Sequence, residues 1–239
     1  MNSPKRLARI AGVLYLLVGI FGGFALGYVQ PKLYVAGDAA ATTGNVLANA
    51  GLLRLGVVSD LVNQTIFVLL ALTLYVLLQH VHRSAARAMV VFVVLAAAIS
   101  SLSAVFQFVG LRVATGAVDL SSLGTEGSNA MVLLLLDTQH YGVLAAQLFF
   151  GLWLVPLSYL AHRSGWFPKA LALLLVVAAG CYLVDLLTAF LVPDLNQLIH
   201  TFIWIPCAAA EIWMVGYLLT VGVRNHKSLQ PTEKVPAAV

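Results

Sequence analysis

Apolar residues run in six long stretches, at roughly 8–29, 56–79, 88–111, 139–161, 169–192 and 199–222, broken by short polar or basic segments. A helix that crosses a bilayer needs about 20 mostly apolar residues. Each stretch has that length, so the pattern predicts six transmembrane helices. The first follows Lys5, Arg6 and Arg9, as a secretory leader would. Its apolar part of about 20 residues exceeds the usual leader core of about 7–15, and no small-x-small cleavage site precedes Gln30 and Pro31. It reads as an uncleaved first helix.

The segments between the stretches alternate in character. Gln79–Arg87 and His162–Lys169 are tight and basic, whereas Gln30–Leu55 and Arg112–Thr138 are longer. Each long segment carries a weakly amphipathic helical stretch, Asp38 to Leu53 and Asn129 to Asp137. Asp38, after Gly37, suits the N-cap of the first, because its side-chain oxygen can accept from an unpaired first-turn amide. The expected fold is an all-α integral membrane protein: a six-transmembrane-helix bundle with short amphipathic outer-loop helices. It forms a single domain over 1–227, and 228–239, which lacks apolar periodicity, is expected to be a disordered tail. His82-Arg83-Ser84 and His162-Arg163-Ser164 lie 80 residues apart. They read equally as the trace of a duplication and as ordinary basic turns.

Composition narrows the class. Hydrophobic residues make up 61% of the 239 and charged residues 9%, with a mean hydropathy of +0.96. Soluble domains are about 45–50% apolar and about 25% charged. A water-soluble enzyme, a nucleic-acid-binding module and a disordered chain are therefore excluded. The net charge of +4 carries information on orientation instead. One side of the membrane receives Lys5, Arg6, Arg9, Arg83, Arg87, Arg163, Lys169, Arg224, Lys227 and Lys234; the other receives Lys32, Arg54 and Arg112. Cytoplasmic loops carry the excess of Lys and Arg, so both termini are expected in the cytoplasm.

Polar residues inside spans point to where chemistry resides, since a central Asp, Lys or Arg costs about 2.5–3.5 kcal/mol to insert. Span two carries Asp60, Asn63 and Gln64; span three Ser100, Ser103 and Gln107; span four His140 and Gln147; span five Asp185 and Thr188. Span six carries His200, Trp204, Cys207 and Glu211 on one face. Most of these lie in the outer half of their spans, and the inner half is nearly pure Leu, Val, Ala and Phe. The expected site is an outward-facing cavity lined by Asp60, Gln64, Gln107, His140, Gln147, Asp185 and Glu211. Arg54, Arg112 and Asp137 stand at its rim, where the arginines can snorkel toward the carboxylates. Glu211, near mid-membrane, is expected to be the key titratable group. The alternative is that these groups only hydrogen-bond across helices, each bond giving about 0.6 kcal/mol on average.

No catalytic set, metal site or cofactor motif is expected. His140 and His200 lack the paired spacing of a metal site, Cys181 and Cys207 read as small packing residues, and no Walker, Rossmann, nucleophile-elbow or zincin motif occurs. Gly12, Gly19, Gly22, Gly23 and Gly27 read as a close helix-packing face. Pro156 and Pro206 fall within spans and are expected to kink them.

Three clusters of residues resemble a known family. They are Gly37-Asp38-Ala39-Ala40-Ala41-Thr42 with Asn45-Val46-Leu47-Ala48 and Leu53-Arg54-Leu55-Gly56; Leu136-Asp137 with His140-Tyr141-Gly142 and Phe149-Phe150-Gly151-Leu152; and Ser164-Gly165-Trp166-Phe167-Pro168-Lys169 with Gly180-Cys181-Tyr182-Leu183-Val184-Asp185. Together they are similar to the bacterial "domain of unknown function 4386" family, from about Arg9 to Val223. The resemblance implies a small multi-pass protein of the bacterial cytoplasmic (inner) membrane with no established activity, and it supplies no catalytic residues.

Three functions compete at this point. One is a carrier or sensor that binds a small or lipidic molecule in the cavity. The others are an accessory membrane subunit and a membrane-embedded enzyme acting on lipid. Expected partners are membrane lipid, a small-molecule or lipidic ligand and further subunits in a homo- or hetero-oligomer, with no nucleic acid. A reporter active only in the periplasm, fused to the C-terminus, should give no signal. Strong signal would reverse the orientation.

Overall fold

The computed structural model describes residues 3–223. The expected tail, with Arg224, Lys227 and Lys234, lies outside the described residues. Six helices are long and apolar enough to cross a membrane: α1 (Pro4–Leu33), α3 (Ala50–Leu78), α4 (Arg83–Ala114), α5 (Gly124–Ser164), α6 (Lys169–Leu191) and α7 (Pro193–Thr220). A short helix, α2 (Ala39–Ala48), precedes α3. The chain is an all-α, multi-pass membrane bundle.

Local chemistry sets the helix ends. Ser3 accepts from the Arg6 amide ahead of Pro4 at the start of α1, the position where proline's missing N–H is harmless. Asp38 Oδ1 accepts from the Ala41 amide at 2.8 Å, capping α2. His82 Nδ1 accepts from the Ala85 amide at the start of α4. Gly165 ends α5 at φ +66°, a backbone angle that glycine adopts without steric penalty.

Two expected outer-loop segments are built differently. The stretch from Asp38 to Leu53 divides at Asn49, so its second part is already the first turn of α3. Asn129–Asp137 is no separate surface helix but belongs to the opening turns of α5. Nothing breaks the backbone between Ser128 and Trp153, and Val132 and Leu136 are buried. Helix α5 does break at Trp153, where Pro156 has no N–H to offer the Leu152 carbonyl. Pro206 sits inside α7 without ending it. In α1, the segment Gly23–Val29 widens into a π-helical turn, a feature often found at functional sites.

The six long helices form a closed ring in which each packs on the next and α7 returns to α1. Antiparallel alternation collects Lys5, Arg6, Arg9, Arg83, Arg87, Arg163 and Lys169 at one end, called here the basic end. The long segments lie at the other. One apolar core fills the basic half, around Leu70, Leu74, Met89, Leu157, Leu171 and Met214. A second core, with Val29, Leu33, Val46, Leu53, Val132 and Leu136, lies beneath α2 at the long-loop end. The polar residues of α3 and α4 lie between the two. An aromatic floor marks the boundary with the basic half: Phe67 meets Phe150 and Trp153 at 5.7 and 5.1 Å between centroids, and Trp153 meets Tyr15 at 5.8 Å.

Helices α1 and α7 touch only along part of their length. A Cβ at Gly12 would lie 3.0 Å from Leu218 and Leu219, and Gly222 packs beside Ala8. Toward the long-loop end the seam opens. On α7, Leu218 is buried, Val215 and Glu211 are partly buried, and Ala208, Trp204 and Thr201 are exposed. On α1, Ala8, Gly12 and Tyr15 are buried, whereas Gly19, Gly23 and Gly27 are exposed with open space where a Cβ would stand. The expected glycine packing face is thus divided. Gly12 meets α7 and Gly22 meets Asn63 of α3, but Gly19, Gly23 and Gly27 meet nothing. At the long-loop end α1 is tied to α5 instead, where Gln30 Nε2 donates to Gln139 Oε1 at 2.9 Å.

Overpacking a tight helix contact costs about 1–3 kcal/mol. Gly12→Leu should therefore lower the thermal midpoint by several degrees, while Gly19→Leu should leave it unchanged or raise it, because leucine favours helix by up to about 1 kcal/mol over glycine. Thermal unfolding of the two variants in the same detergent checks the order.

Candidate functional site

Of the seven residues expected to line one cavity, six fall into two groups. The first is built on α5, α6 and α7 around Asp185, whose side chain is 1% exposed. Gln147 Nε2 of α5 donates to Asp185 Oδ2 at 2.7 Å. Asn196 Nδ2 of α7 donates to Oδ1 at 2.9 Å and also reaches Thr188 Oγ1 at 3.0 Å. His200 Nδ1 lies 2.7 Å from Oδ1. A carboxylate only accepts, so that bond fixes the proton on Nδ1 and points Nε2 away from Asp185. The imidazole is 48% exposed, which leaves this second nitrogen accessible.

Three turns from His200 toward the basic end on α7, Glu211 takes a 2.7 Å hydrogen bond from the Tyr182 hydroxyl of α6. Helix α7 begins at Pro193, six residues before the expected span, so Glu211 lies about 27 Å along it from the long-loop end at 1.5 Å per residue. Tyr15 of α1 is within electrostatic reach of Glu211, and its hydroxyl is buried without a hydrogen-bond partner. Trp204 packs edge-on against Tyr182 at 5.5 Å. Cys207 faces the Ala178 carbonyl of α6.

The second group lies between α1, α3 and α4. Gln64 Nε2 donates to Asp60 Oδ1 at 2.9 Å, and both side chains are buried. Ser59 Oγ donates to the Phe21 carbonyl of α1. Ser100, Ser103 and Gln107 are buried along one stripe of α4. Gly142 of α5 packs directly on Ser103. The Asn63 and Gln64 carbonyl oxygens and the Ser100 hydroxyl are buried with no partner. Buried polar groups are normally satisfied, so this layer retains hydrogen-bonding capacity.

His140 belongs to neither interior. It is half-buried at the long-loop end, stacked on Tyr34 at 5.3 Å and within electrostatic reach of Asp137 and His200. Tyr34 donates its hydroxyl to Asp137. Burial and that carboxylate hold the Tyr34 hydroxyl well above the usual phenol range, so it stays a donor at ordinary pH. Of the expected rim, Asp137 is tied down in this way, whereas Arg54 and Arg112 point to the exterior. Neither arginine is placed to join a carboxylate of the interior. No group of three His, Cys, Asp or Glu there is placed to hold a metal ion.

Sequence reasoning passed over Tyr15, Tyr34, Tyr182 and Asn196. Tyr15 and Tyr182 look like ordinary apolar residues of their spans, and Tyr34 lies in the first long segment. Asn196 lies just before the expected sixth span, and its spacing of four from His200 was the available signal.

The chain belongs to the family described as domain of unknown function (DUF4386), whose model matches residues 10–222. No curated protein and no solved structure matches it.

Asp185→Asn would turn an amide toward donors that now share a carboxylate. Leaving one buried donor unmatched costs about 1–3 kcal/mol. The thermal midpoint should fall, and Asn196→Ala should lower it less, since two donors remain. Differential scanning fluorimetry of both variants decides this; an unchanged midpoint for Asp185→Asn would remove the anchoring role.

Proposed function

We propose that this protein binds an amphiphilic molecule in the cleft between α1 and α7, as a carrier or sensor of a lipidic compound in the membrane. The observation that carries the reading is the parting of the two helices beyond Gly12 and Leu218. It leaves an apolar, glycine-walled groove open sideways, with Glu211, Tyr182 and Tyr15 at its deep end. The long-loop end above the α3–α4 polar layer is filled by the second apolar core. Entry from the side therefore fits this fold better than entry along the bundle axis. A wall of Gly19, Gly23 and Gly27 admits an alkyl chain against the backbone, and the orphaned hydroxyl of Tyr15 offers a hydrogen bond at the closed end.

With the basic end toward the cytoplasm, as the Lys and Arg asymmetry leads one to expect, the cleft would open to the outer leaflet of a bacterial inner membrane. A carrier would need the α1–α7 seam near Gly12 to part as well. A sensor would need only that filling the cleft shift α7.

A long-chain alcohol bearing a diazirine near the chain end tests the reading in nanodiscs. Saturable photolabelling should appear on peptides covering residues 19–27 and 201–211, and Gly23→Trp, which fills the groove, should abolish it. Labelling that is non-saturable, or untouched by Gly23→Trp, would overturn the cleft as a binding site.

A further inference from the structure

The deep end of the cleft holds an acid and no base. Glu211 is faced by Tyr15 from α1, by Tyr182 from α6 and by Cys207 on its own helix. Every one of these is neutral or acidic. The described Lys and Arg residues lie at helix ends or in loops, and Arg54 and Arg112 face the exterior. The Glu211 carboxyl has the Tyr182 hydroxyl as its hydrogen-bond donor. Aromatic surface adjoins it: the Tyr182 ring, with Trp204 set against that ring and 41% exposed in the open part of the cleft.

Resting on the cleft reading above, we infer that the preferred occupant is a cationic amphiphile, a long-chain amine or quaternary ammonium whose positive group sits against Glu211 beside Tyr182 and Trp204. A carboxylate in a low-dielectric site gains most from an opposite charge, and no described Lys or Arg reaches it; His200, edge-on to Trp204 at 6.0 Å, is engaged by Asp185. Aromatic faces attract ammonium groups, with Trp the best of them. A second, independent observation is Tyr15, 2% exposed, whose buried hydroxyl has no hydrogen-bond partner at the same closed end. A zwitterionic phospholipid head fits worse. Its phosphate would enter beside an acid with no Lys or Arg to receive it.

The test compares two diazirine probes of equal chain length, a trimethylammonium and a primary alcohol, in nanodiscs of neutral lipid. The quaternary head cannot donate a hydrogen bond, so its advantage reports charge alone. Wild type should bind the ammonium at least tenfold more tightly than the alcohol. Glu211→Gln should erase that preference while alcohol labelling persists, and Tyr182→Phe, which keeps the charge, should retain most of it. Equal binding of both probes by wild type would overturn the inference and leave the cleft standing, a comparison that needs no variant to fold. Saturable labelling by neither probe would overturn the cleft reading itself. Competition of the ammonium by phosphatidylcholine at equal potency would instead assign the site to a phospholipid head and sink the monocation.

Discussion

A carboxylate sealed from water must find donors, and Asp185 finds them on two neighbouring helices. Gln147 comes from α5, and Asn196 and His200 come from α7. Hydrogen bonds to a charged group contribute about 1.5–3 kcal/mol each, more than most single contacts between helices in a membrane. The rest of the long-loop half follows from this. The first three turns of α7 are exposed on most sides and hydrogen-bond to α6 at Asp185 and Thr188. With α7 pinned to α6, it cannot also follow α1.

Helix α1 is drawn the other way. Gln30 bonds Gln139, Tyr34 bonds Asp137 and stacks on His140, and Val29 packs into the space left by Gly56. All these partners lie on α3 and α5. The π turn at Gly23–Val29 lies where the helix leaves α7 and approaches them. Two sets of polar contacts therefore pull neighbouring helices apart in one half of the membrane. In the other half, Leu, Val and Ala packing with close approach at Gly12 keeps them together. The cleft is the geometric result of that division.

Much of this was legible in the sequence. Six apolar stretches and the Asp38 cap reappear as helices and a capped α2, because span length and capping are local properties. The polar stripes also identified the faces that meet neighbouring helices. What the stripes could not say was which neighbour. Asp60 and Asp185 share depth and helical spacing, yet one bonds Gln64 of its own helix and the other bonds donors on α5 and α7. Only tertiary packing decides that. The glycines of α1 misled for the same reason, since Gly12 and Gly19 are alike in sequence and differ only in whether α7 is beside them. Tyr15 and Tyr182 escaped notice because a tyrosine in an apolar run shows its hydroxyl's importance only once its surroundings are known.

Pro206 gives the arrangement a mechanical side. It stands between the part of α7 held by Asp185, through Asn196 and His200, and the part held by α1 at Leu218. Its ring removes the hydrogen bond that would stiffen the helix across the Phe202 carbonyl. The segment from Pro193 to Pro206 is then a lever about 20 Å long on a weakened pivot, latched at its far end. A swing of about 10° at the pivot moves the tip by about 3.5 Å, close to the width of an alkyl chain.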